Sequence, residues 1–470
     1  MEYANLDRWI EEHLPEYLED LGALVSVNSE WSEPQEKAPF GKGNAECAAA
    51  AMEIIERCKL AAKNHANYAV TADLAPELPR QLYILAHLDV VPAGNGWTVT
   101  EPFVMKVEDG KVYGRGTADD KGPALCALYA MRAIQELGLP LKQGVRLILG
   151  TDEECGSRDL DHYFLTEQSA PYSLSPDAEF PMINIEKGGL HSGFASAVPT
   201  AVAGPRLVSL SGGIKINVIP DQAAAVLQEI DEETVQAVIG QLSGMDGIRF
   251  CCEQTDNGLT VTAWGKTGHA SEPQKACNAV TALLQLLARL PLTECKLHEQ
   301  IRAMAKLFPH GDCHGTALGV DLEDTVSGKT VLSLTICSYS AEEGLSGKFD
   351  CRACLSANDE NTTGVIYQKL RAAGFEPADR AMYAPHHVPE ESHLVQTLLN
   401  VYEDMTGQRP KPLCIGGGTY VHGIENGIAF GCGSLELDNR IHGPNEFFTL
   451  EQILFSTKIY ARAILALCND

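Results

Sequence analysis

The chain has 470 residues, which is too long for one ordinary hydrophobic core and predicts at least two domains. Its composition is that of a globular protein, with 45% hydrophobic and 21% charged residues. The formal net charge of −27 opposes contact with nucleic acid or with an anionic membrane, so we expect neither as a partner.

The N-terminal segment and the cysteines both indicate a cytoplasmic protein. Residues 1–5 show no basic segment followed by an apolar one, and no apolar run approaches the roughly 20 residues that cross a bilayer. The fifteen cysteines form no repeating framework, which favours reduced thiols over disulfides. Cys351 and Cys354 form a C-x-x-C pair, but no second pair accompanies it, so a metal or redox role there is disfavoured.

Predicted helices and strands alternate in the first part of the chain. Apolar residues at helical spacing predict helices over 6–25, from about 44 to 65 and from about 121 to 137. Buried strands are predicted over 82–85 and 145–149, and a hairpin turns at Asp109-Gly110. This alternation continues to about residue 185 and predicts βαβ units around a mainly parallel sheet.

The pattern changes beyond residue 187. Short turns now separate pairs of strands, with helices near 231–244, 273–290 and 361–373, which is typical of an α+β domain. Helices over 393–405 and from about Glu451 resume the earlier pattern. The sequence therefore predicts an α/β catalytic domain with helices on both faces of its sheet, formed by residues 1–186 and 384–470. An inserted α+β lid domain of residues 187–383 interrupts it.

Five side chains that can bind metals lie at or just past the ends of predicted strands: His87, Asp119, Glu154, Asp177 and His442. Ligands of open α/β sheets collect at the carboxyl ends of the strands. Imidazole and carboxylate ligands without cysteine suit Zn²⁺, Mn²⁺ or Co²⁺. A carboxylate such as Asp119 could bridge two ions, and two ions together clamp the attacking and leaving oxygens of a hydrolysis.

Two neighbouring residues have predicted supporting roles. Glu153, if free of metal, could take a proton from a metal-bridging water and return it to the leaving amine. Asp89 is placed to accept the other ring N–H of His87 and so fix its tautomer. Each of these side chains alone has an ordinary structural explanation, such as a turn or a helix N-terminus. Their joint appearance favours catalysis.

Three segments, 87–89, 116–122 and 152–154, together resemble the signature of the M20 metallopeptidase family. The pattern is most similar to that of its dinuclear dipeptidases, the PepV and carnosinase-like group, and extends in order over nearly the whole chain. The resemblance implies two ligand sets that share one residue and a general acid/base beside them: His87, Asp119 and Asp177 for one metal, Asp119, Glu154 and His442 for the other, and Glu153 as acid/base. It also implies a cis peptide bond after Asp119.

The resemblance extends to the substrate. His269 resembles a histidine that stabilises the oxyanion of the tetrahedral intermediate, and Asn217 resembles an asparagine that contacts the substrate. Arg352 resembles an arginine that grips the free carboxylate of a dipeptide. The loop of residues 416–420, with Gly417, Gly418 and Thr419, resembles one whose backbone N–H groups approach that carboxylate.

Two positions depart from the family pattern. Ala353-Cys354 stands where relatives often have Tyr-Pro, and Val421-His422 stands where an arginine is frequent. Both positions concern the substrate rather than the metals, so the departures bear on substrate preference.

The leading hypothesis is a dinuclear metallo-dipeptidase, with two Zn²⁺ or Mn²⁺ ions (or Co²⁺), that hydrolyses dipeptides or short peptides with a free carboxylate. The alternative within the family is an amidohydrolase that deacylates N-acyl amino acids. A non-catalytic binding protein is disfavoured because Glu153 and every ligand are present, and a cysteine-based redox protein is least favoured. The insert is larger than the single lid of dimeric family members, so the resemblance implies a monomer.

Overall fold

The structure is a computed structural model and describes residues 3–197 and 203–470. The described residues form eleven α-helices: α1 Ala4–Glu12, α2 Leu14–Val25, α3 Lys42–Arg57, α4 Lys121–Glu136, α5 Arg158–Tyr163, α6 Glu232–Ile239, α7 Ala279–Leu287, α8 Lys296–Leu307, α9 Gly364–Ala372, α10 His393–Thr406 and α11 Leu450–Leu467. None of the helices in these ranges combines the length and the hydropathy needed to cross a membrane.

The same residues form 26 strands, many of them short: β1 Ala61–His65, β2 Ala69–Leu74, β3 Arg80–His87, β4 Lys106–Glu108, β5 Lys111–Tyr113, β6 Gly144–Gly150, β7 Tyr172–Ser175, β8 Glu179–Phe180, β9 Ile183–Glu186, β10 Gly188–Ser196, β11 Arg206–Gly212, β12 Val218–Ile219, β13 Gln222–Gln228, β14 Arg249–Thr255, β15 Gly258–Trp264, β16 Gly268–His269, β17 Glu323–Asp324, β18 Gly328–Lys329, β19 Val331–Ser340, β20 Gly344–Ala353, β21 Glu376–Pro377, β22 His386–His387, β23 Leu413–Ile415, β24 Gly427–Ala429, β25 Gly433–Ser434 and β26 Phe447–Thr449.

The chain divides into two compact units. The first unit comprises Met1–Ile185 and His387–Asp470, and the second comprises Glu186–His386.

The first unit is built on a nine-stranded sheet in the order β1-β2-β6-β3-β7-β24-β9-β22, with β23 beside β9. Its centre, β6-β3-β7-β24, is parallel, whereas β1, β2 and β9 pair antiparallel with their neighbours. Alternate residues of β3 face two cores. Leu82 and Ile84 pack in the core that contains α4 and α11, and Tyr83 and Leu85 pack in a core on the other face. The predicted α/β fold is confirmed.

The register of strands β3 and β6 places their carboxyl ends side by side. β3 and β6 run parallel, with His87 opposite Gly150, so both strands end at the same level. The backbone N–H of Leu88 donates to the carbonyl of Gly150 at 2.9 Å, which continues the pairing past the end of β3. The segments that follow the two strands, 88–90 and 151–154, therefore lie next to each other.

Two helix predictions in the first unit are wrong in their bounds. The helix expected over about 44–65 ends at Arg57, and residues 61–65 instead form β1, which pairs antiparallel with β2. The alanine- and lysine-containing segment has no strong β propensity, so the ladder with β2 overrides its local preference. The helix expected over 6–25 is two helices that meet at His13, because Pro15 lies in the first turn of α2 and cannot donate to a preceding turn.

The second unit is built on an eight-stranded antiparallel sheet in the order β14-β15-β13-β11-β19-β20-β10-β21. Helices α7 and α8 contribute Leu283, Leu287 and Ile301 to the core of this unit. The rings of Phe194, Phe308 and Phe349 meet in the same core, with centroids 5.7 to 6.5 Å apart. A sheet of this kind with helices on it is the α+β architecture predicted for the insert.

Candidate metal centre

The ring of His87 is fully buried at the carboxyl end of β3. Its Nδ1 lies 2.9 Å from the backbone carbonyl oxygen of Asp89, and since a carbonyl only accepts, Nδ1 carries the proton. Its Nε2 lies 3.1 Å from Asp119 Oδ1 and 3.8 Å from Asp177 Oδ2. The geometry there is not that of a hydrogen bond, so this buried nitrogen has no hydrogen-bond partner among the described residues. In its neutral form the ring thus turns a lone pair towards two carboxylates, an arrangement that a cation between them would stabilise.

His442 forms the counterpart on the other side of Asp119. Its Nε2 lies 2.9 Å from Asp119 Oδ2 and 3.0 Å from Glu154 Oε1. The side chain is 54% exposed, and its backbone has a φ of +61°, in the left-handed region that few non-glycine residues adopt. Burial lowers the pKa of His442, but the carboxylates of Asp119 and Glu154 outweigh burial and raise it to about 11. Two carboxylate oxygens within 3.0 Å of Nε2 make this position suited to positive charge.

Asp119 is the shared member of two ligand groups. Its Oδ1 faces His87 and its Oδ2 faces His442. The donor atoms of His87, Asp119 and Asp177 lie within 4.8 Å of one another, and so do those of Asp119, Glu154 and His442. The peptide bond between Asp119 and Asp120 is cis, as the family resemblance implies. The structure therefore brings together all five predicted ligands as two triads joined by one carboxylate.

The electrostatics of the triads reflect their crowded carboxylates. Burial and the neighbouring Asp119 raise the pKa of Glu154 to about 7, against the opposing effect of His442. Burial also raises the pKa of Asp177, with Asp119 adding to the rise. Burial lowers the pKa of His87, but the nearby carboxylates of Asp119, Asp177 and Asp89 outweigh burial and raise this pKa well above its usual value. Among the described residues, no lysine or arginine forms an ion pair with the three ligand carboxylates.

Asp89 supports the site in a way that differs from the prediction. The nearest acceptor for the His87 ring N–H is the backbone carbonyl of Asp89, whereas its carboxylate Oδ1 lies 3.5 Å away. The Asp89 carboxylate instead accepts the backbone N–H groups of Glu153 and Glu154, each at 3.1 Å. Asp89 thus holds the His87 ring with its main chain and the Glu153-Glu154 turn with its side chain. A sequence pattern cannot distinguish these two acceptors, because both belong to the same residue.

Glu153 lies beside the triads but belongs to neither. It opens a short 3₁₀ turn, Glu153–Cys155, directly after β6. Burial raises the pKa of Glu153 well above its usual value, and the nearby Asp177 and Glu154 carboxylates oppose the lowering effect of His87. A carboxylate with this environment holds a proton more readily than an exposed one.

Three buried charged residues behind the triads were not predicted from the sequence. Asp120 accepts the backbone N–H of His87 at 3.1 Å. Glu446 accepts the backbone N–H groups of Ala118 and Asp119 and pairs with Arg115. The only sequence signal is position: Arg115 stands between two glycines before Asp119, and Glu446 follows His442 by four residues.

A cavity of about 320 Å³ in the first unit adjoins the triads. Its lining includes members of the two ligand groups, Glu153, and Gly418 and Thr419 of the predicted substrate loop. Apolar side chains cover another part of its wall: Ile183, Ile415, Leu437, Ile441 and Phe448. The structure therefore places two of the three predicted loop residues beside the metal-binding side chains, whereas Gly417 is not part of this lining.

The second unit brings together His269 and Asn217. Strand β16 pairs with β12, with His269 opposite Val218, and the N–H of Ala270 donates to the carbonyl of Asn217 at 2.9 Å. The N–H of Ser271 donates to His269 Nδ1 at 3.2 Å, which leaves the ring proton of a neutral His269 on Nε2. A neutral ring in this tautomer can act as a hydrogen-bond donor.

Arg352, also in the second unit, is buried and already paired. Its Nε and Nη2 donate to the two carboxylate oxygens of Asp350 at 2.7 and 2.9 Å. Its Nη1 donates to the hydroxyl of Tyr383 at 3.2 Å. Since Asp350 occupies the Nε/Nη2 edge, a second carboxylate would have to approach the Nη1 and Nη2 end of the guanidinium. The sequence alone did not predict this pairing.

The donor set fits divalent metal ions. Two imidazoles and three carboxylates converge without cysteine, a buried imidazole nitrogen has no hydrogen-bond partner in the described part of the chain, and one carboxylate divides its oxygens between two groups. Two ions in such an arrangement act together in hydrolysis. His87, Glu154 and Asp177 follow strands β3, β6 and β7 as predicted, whereas Asp119 and His442 lie in loops rather than at strand ends. An α/β domain that presents this donor set defines a metal-dependent hydrolase.

Comparison with known proteins identifies the family. Residues 83–466 match the model of Peptidase family M20/M25/M40, and the chain belongs to this family. It is 32% identical over 443 residues to "Putative dipeptidase YtjP" of Bacillus subtilis (strain 168), covering 92% of each chain. It is 31% identical to the Beta-Ala-Xaa dipeptidase of Lactobacillus delbrueckii subsp. lactis, covering 96% of each. The crystal structure of human carnosine dipeptidase 1 has the same fold, with a TM-score of 0.58 at 16% identity and 99% coverage of both chains.

Proposed function

We propose that this protein is a dinuclear metallo-dipeptidase that hydrolyses dipeptides or short peptides. The observation that carries the proposal is the division of the Asp119 carboxylate between two histidines, with Oδ1 facing His87 and Oδ2 facing His442. Membership in the peptidase family and the dipeptidase names of two relatives that match over nearly their whole length support the same reaction.

The two triads are the proposed binding residues for the ions. His87 and Asp177 would hold one ion, Glu154 and His442 the other, and Asp119 would contact both. Two bound ions, Zn²⁺, Mn²⁺ or Co²⁺, would supply polarisation of the peptide carbonyl and a lowered pKa of the attacking water. The Nδ1–H of His87, held by the Asp89 carbonyl, keeps the Nε2 lone pair directed into the first triad.

Glu153 is the proposed general base. It lies outside both triads, so its carboxylate remains able to take a proton from the attacking water and return it to the leaving amine. Burial raises the pKa of Glu153, so this carboxylate holds a proton more readily than an exposed one while the proton passes from the water to the amine. Asp89 holds the backbone of this turn and so keeps Glu153 at the edge of the cavity.

The substrate roles are proposals that rest on the family pattern. Gly418 and Thr419 line the cavity beside the triads, which supports a role for the 416–420 loop in binding the substrate carboxylate. His269, with a donor Nε2, suits stabilisation of an oxyanion, and Asn217 lies next to it. For Arg352, the pairing with Asp350 supports a substrate contact through the Nη1 and Nη2 end of the guanidinium rather than through its Nε/Nη2 edge. The lid function of the second unit, the monomeric state and the cytoplasmic location stay predictions.

The cavity lining favours a peptide over an N-acyl amino acid. Besides Glu153 and every triad member except His87, it includes the acidic residues Glu179 and Asp438, and no described lysine or arginine is part of it. Such a lining suits the positively charged amino terminus of a peptide, which an N-acyl amino acid lacks.

A matched pair of substrates tests the proposal. We expect the metal-loaded enzyme to hydrolyse Ala-Ala, measured by released alanine, and to leave N-acetylalanine intact. The control is the chelated enzyme on Ala-Ala, which should be inactive. Turnover of the acetylated compound alone would reject the dipeptidase and select the amidohydrolase.

A further inference from the structure

Glu446 is a fully buried acid in the first unit whose partners belong to the segment that carries Asp119. Its Oε1 accepts the backbone N–H of Ala118 at 2.9 Å and that of Asp119 at 3.2 Å. Its Oε2 accepts from Arg115 Nη1 at 2.5 Å, and the two side chains are 0% and 1% exposed. Both oxygens of Glu446 are thus engaged by the loop that delivers the shared carboxylate.

Glu446 also belongs to the loop that carries His442. Its backbone carbonyl accepts the N–H of Gly114 at 3.1 Å, so main chain and side chain both join the two loops. Arg440, His442 and Asn445 in this loop have φ values of +58°, +61° and +58°. A non-glycine backbone in the left-handed region persists when its surroundings hold it, and the bonds from Glu446 to residues 114–119 fix the end of this loop.

We infer that Glu446 is a positioning residue that fixes Asp119 and His442 relative to each other. Asp119 Oδ2 and His442 Nε2 are 2.9 Å apart and belong to one triad, yet they come from segments more than three hundred residues apart in sequence. The Glu446 carboxylate holds the two peptide N–H groups that set the orientation of the Asp119 backbone. The inference rests on the proposed metal centre and assigns Glu446 a role in its metal affinity.

If Glu446 had a purely structural role, its substitution would lower stability without a specific effect on metal binding. Removing one partner of a buried ion pair destabilises a protein wherever the pair lies, because the other charge is left buried without a partner. The first unit offers a matched control in Asp73, whose two oxygens accept from Arg146 Nε and Nη2 at 2.7 Å each, between β2 and β6. Asp73→Asn removes a charge from a largely buried pair that contacts neither triad.

The experiment compares wild type, Glu446→Gln and Asp73→Asn in the full-length protein. Metal-free samples are titrated with Co²⁺ in the presence of a competing chelator, and the visible absorption of the bound cobalt is recorded. Thermal unfolding of the same metal-free samples measures stability. Glu446→Asp provides a second variant if the glutamine variant does not fold, because it keeps the charge opposite Arg115 but is one methylene too short to reach both N–H groups.

We expect the Glu446 variants to bind both ions roughly 10- to 100-fold more weakly, with an altered cobalt spectrum, because Asp119 serves both positions. Asp73→Asn should lose stability but keep wild-type affinity and spectrum. Glu446 variants that bind two ions with wild-type affinity and spectrum would overturn the inference while leaving the metal centre intact. A wild-type protein that binds no cobalt would overturn the proposed centre itself and, with it, the role of Glu446.

Discussion

The substitution Glu153→Gln separates proton transfer from metal binding. Glutamine keeps the size of the side chain but cannot take a proton from water at neutral pH. The change leaves both triads complete, since Glu153 belongs to neither, and it leaves the backbone N–H of residue 153 bonded to the Asp89 carboxylate. We therefore expect the variant to fold, to bind its metals and to lose turnover.

The magnitude follows from the role of the residue. General acid–base catalysis by a positioned side chain contributes roughly 10²- to 10⁴-fold to the rate. At about 1.4 kcal/mol for each factor of ten, this corresponds to about 3 to 5 kcal/mol of transition-state stabilisation. Because the binding residues are untouched, the loss should fall on kcat, with KM changed much less.

The assay measures kcat and KM on Ala-Ala together with the metal content of the same preparation. Glu154→Gln is the matched control: it neighbours Glu153 but contacts His442 at 3.0 Å, so it should lower the metal content as well as the rate. A Glu153→Gln enzyme with kcat close to wild type would refute the assignment of Glu153 as the base. Loss of both metals from that variant would show instead that Glu153 is a ligand.

Three further outcomes are expected. His442→Ala should bind one ion instead of two, as measured by metal analysis, because His442 serves only the second triad; two retained ions would contradict its role as a ligand. Burial, and to a lesser extent Lys63, lowers the pKa of His65 to about 4, so between about pH 6.5 and pH 4 the unfolded chain binds a proton that the folded protein does not. Wild-type stability should therefore fall through this window as the pH is lowered, and the melting temperature of His65→Gln should depend on pH less steeply; identical pH profiles would contradict this. Phe349→Ala should destabilise the second unit by about 3–5 kcal/mol in denaturant unfolding, because the ring is fully buried against Phe194 and Phe308; a loss below about 1 kcal/mol would contradict this packing.

Several features of the fold could be predicted because local sequence determines them. The apolar run of β3 is buried on both faces, and an apolar run of this kind is enough to place His87 at the end of a central parallel strand. The end of helix α3 at Arg57 and the start of strand β1 at Ala61 could not be predicted from local sequence in the same way. Residues 61–65 become a strand through pairing with β2, which is a tertiary effect.

The candidate site likewise has features that could be predicted from the sequence and features that could not. Its ligands were predictable because their side-chain chemistry is visible in the sequence, but only His87, Glu154 and Asp177 follow strands of the main sheet, whereas Asp119 and His442 lie in loops. The groups that hold these ligands in place were not predictable, because they depend on which residues come into contact in the folded chain. The His87 ring is held by a backbone carbonyl, Glu446 accepts the N–H of Asp119 from far along the chain, and Asp350 occupies the Nε/Nη2 edge of Arg352. Charged residues are most often exposed, so a sequence gives little reason to place Arg115 and Glu446 in the interior.

The measurement that tests the central claim most directly is the metal content of the purified protein, by elemental analysis, combined with activity on Ala-Ala before and after chelation. Two triads that share Asp119 predict two divalent ions per chain, loss of activity on chelation and recovery on addition of Zn²⁺, Mn²⁺ or Co²⁺. A protein that contains no metal and hydrolyses Ala-Ala at the same rate in the presence of chelator would contradict the account.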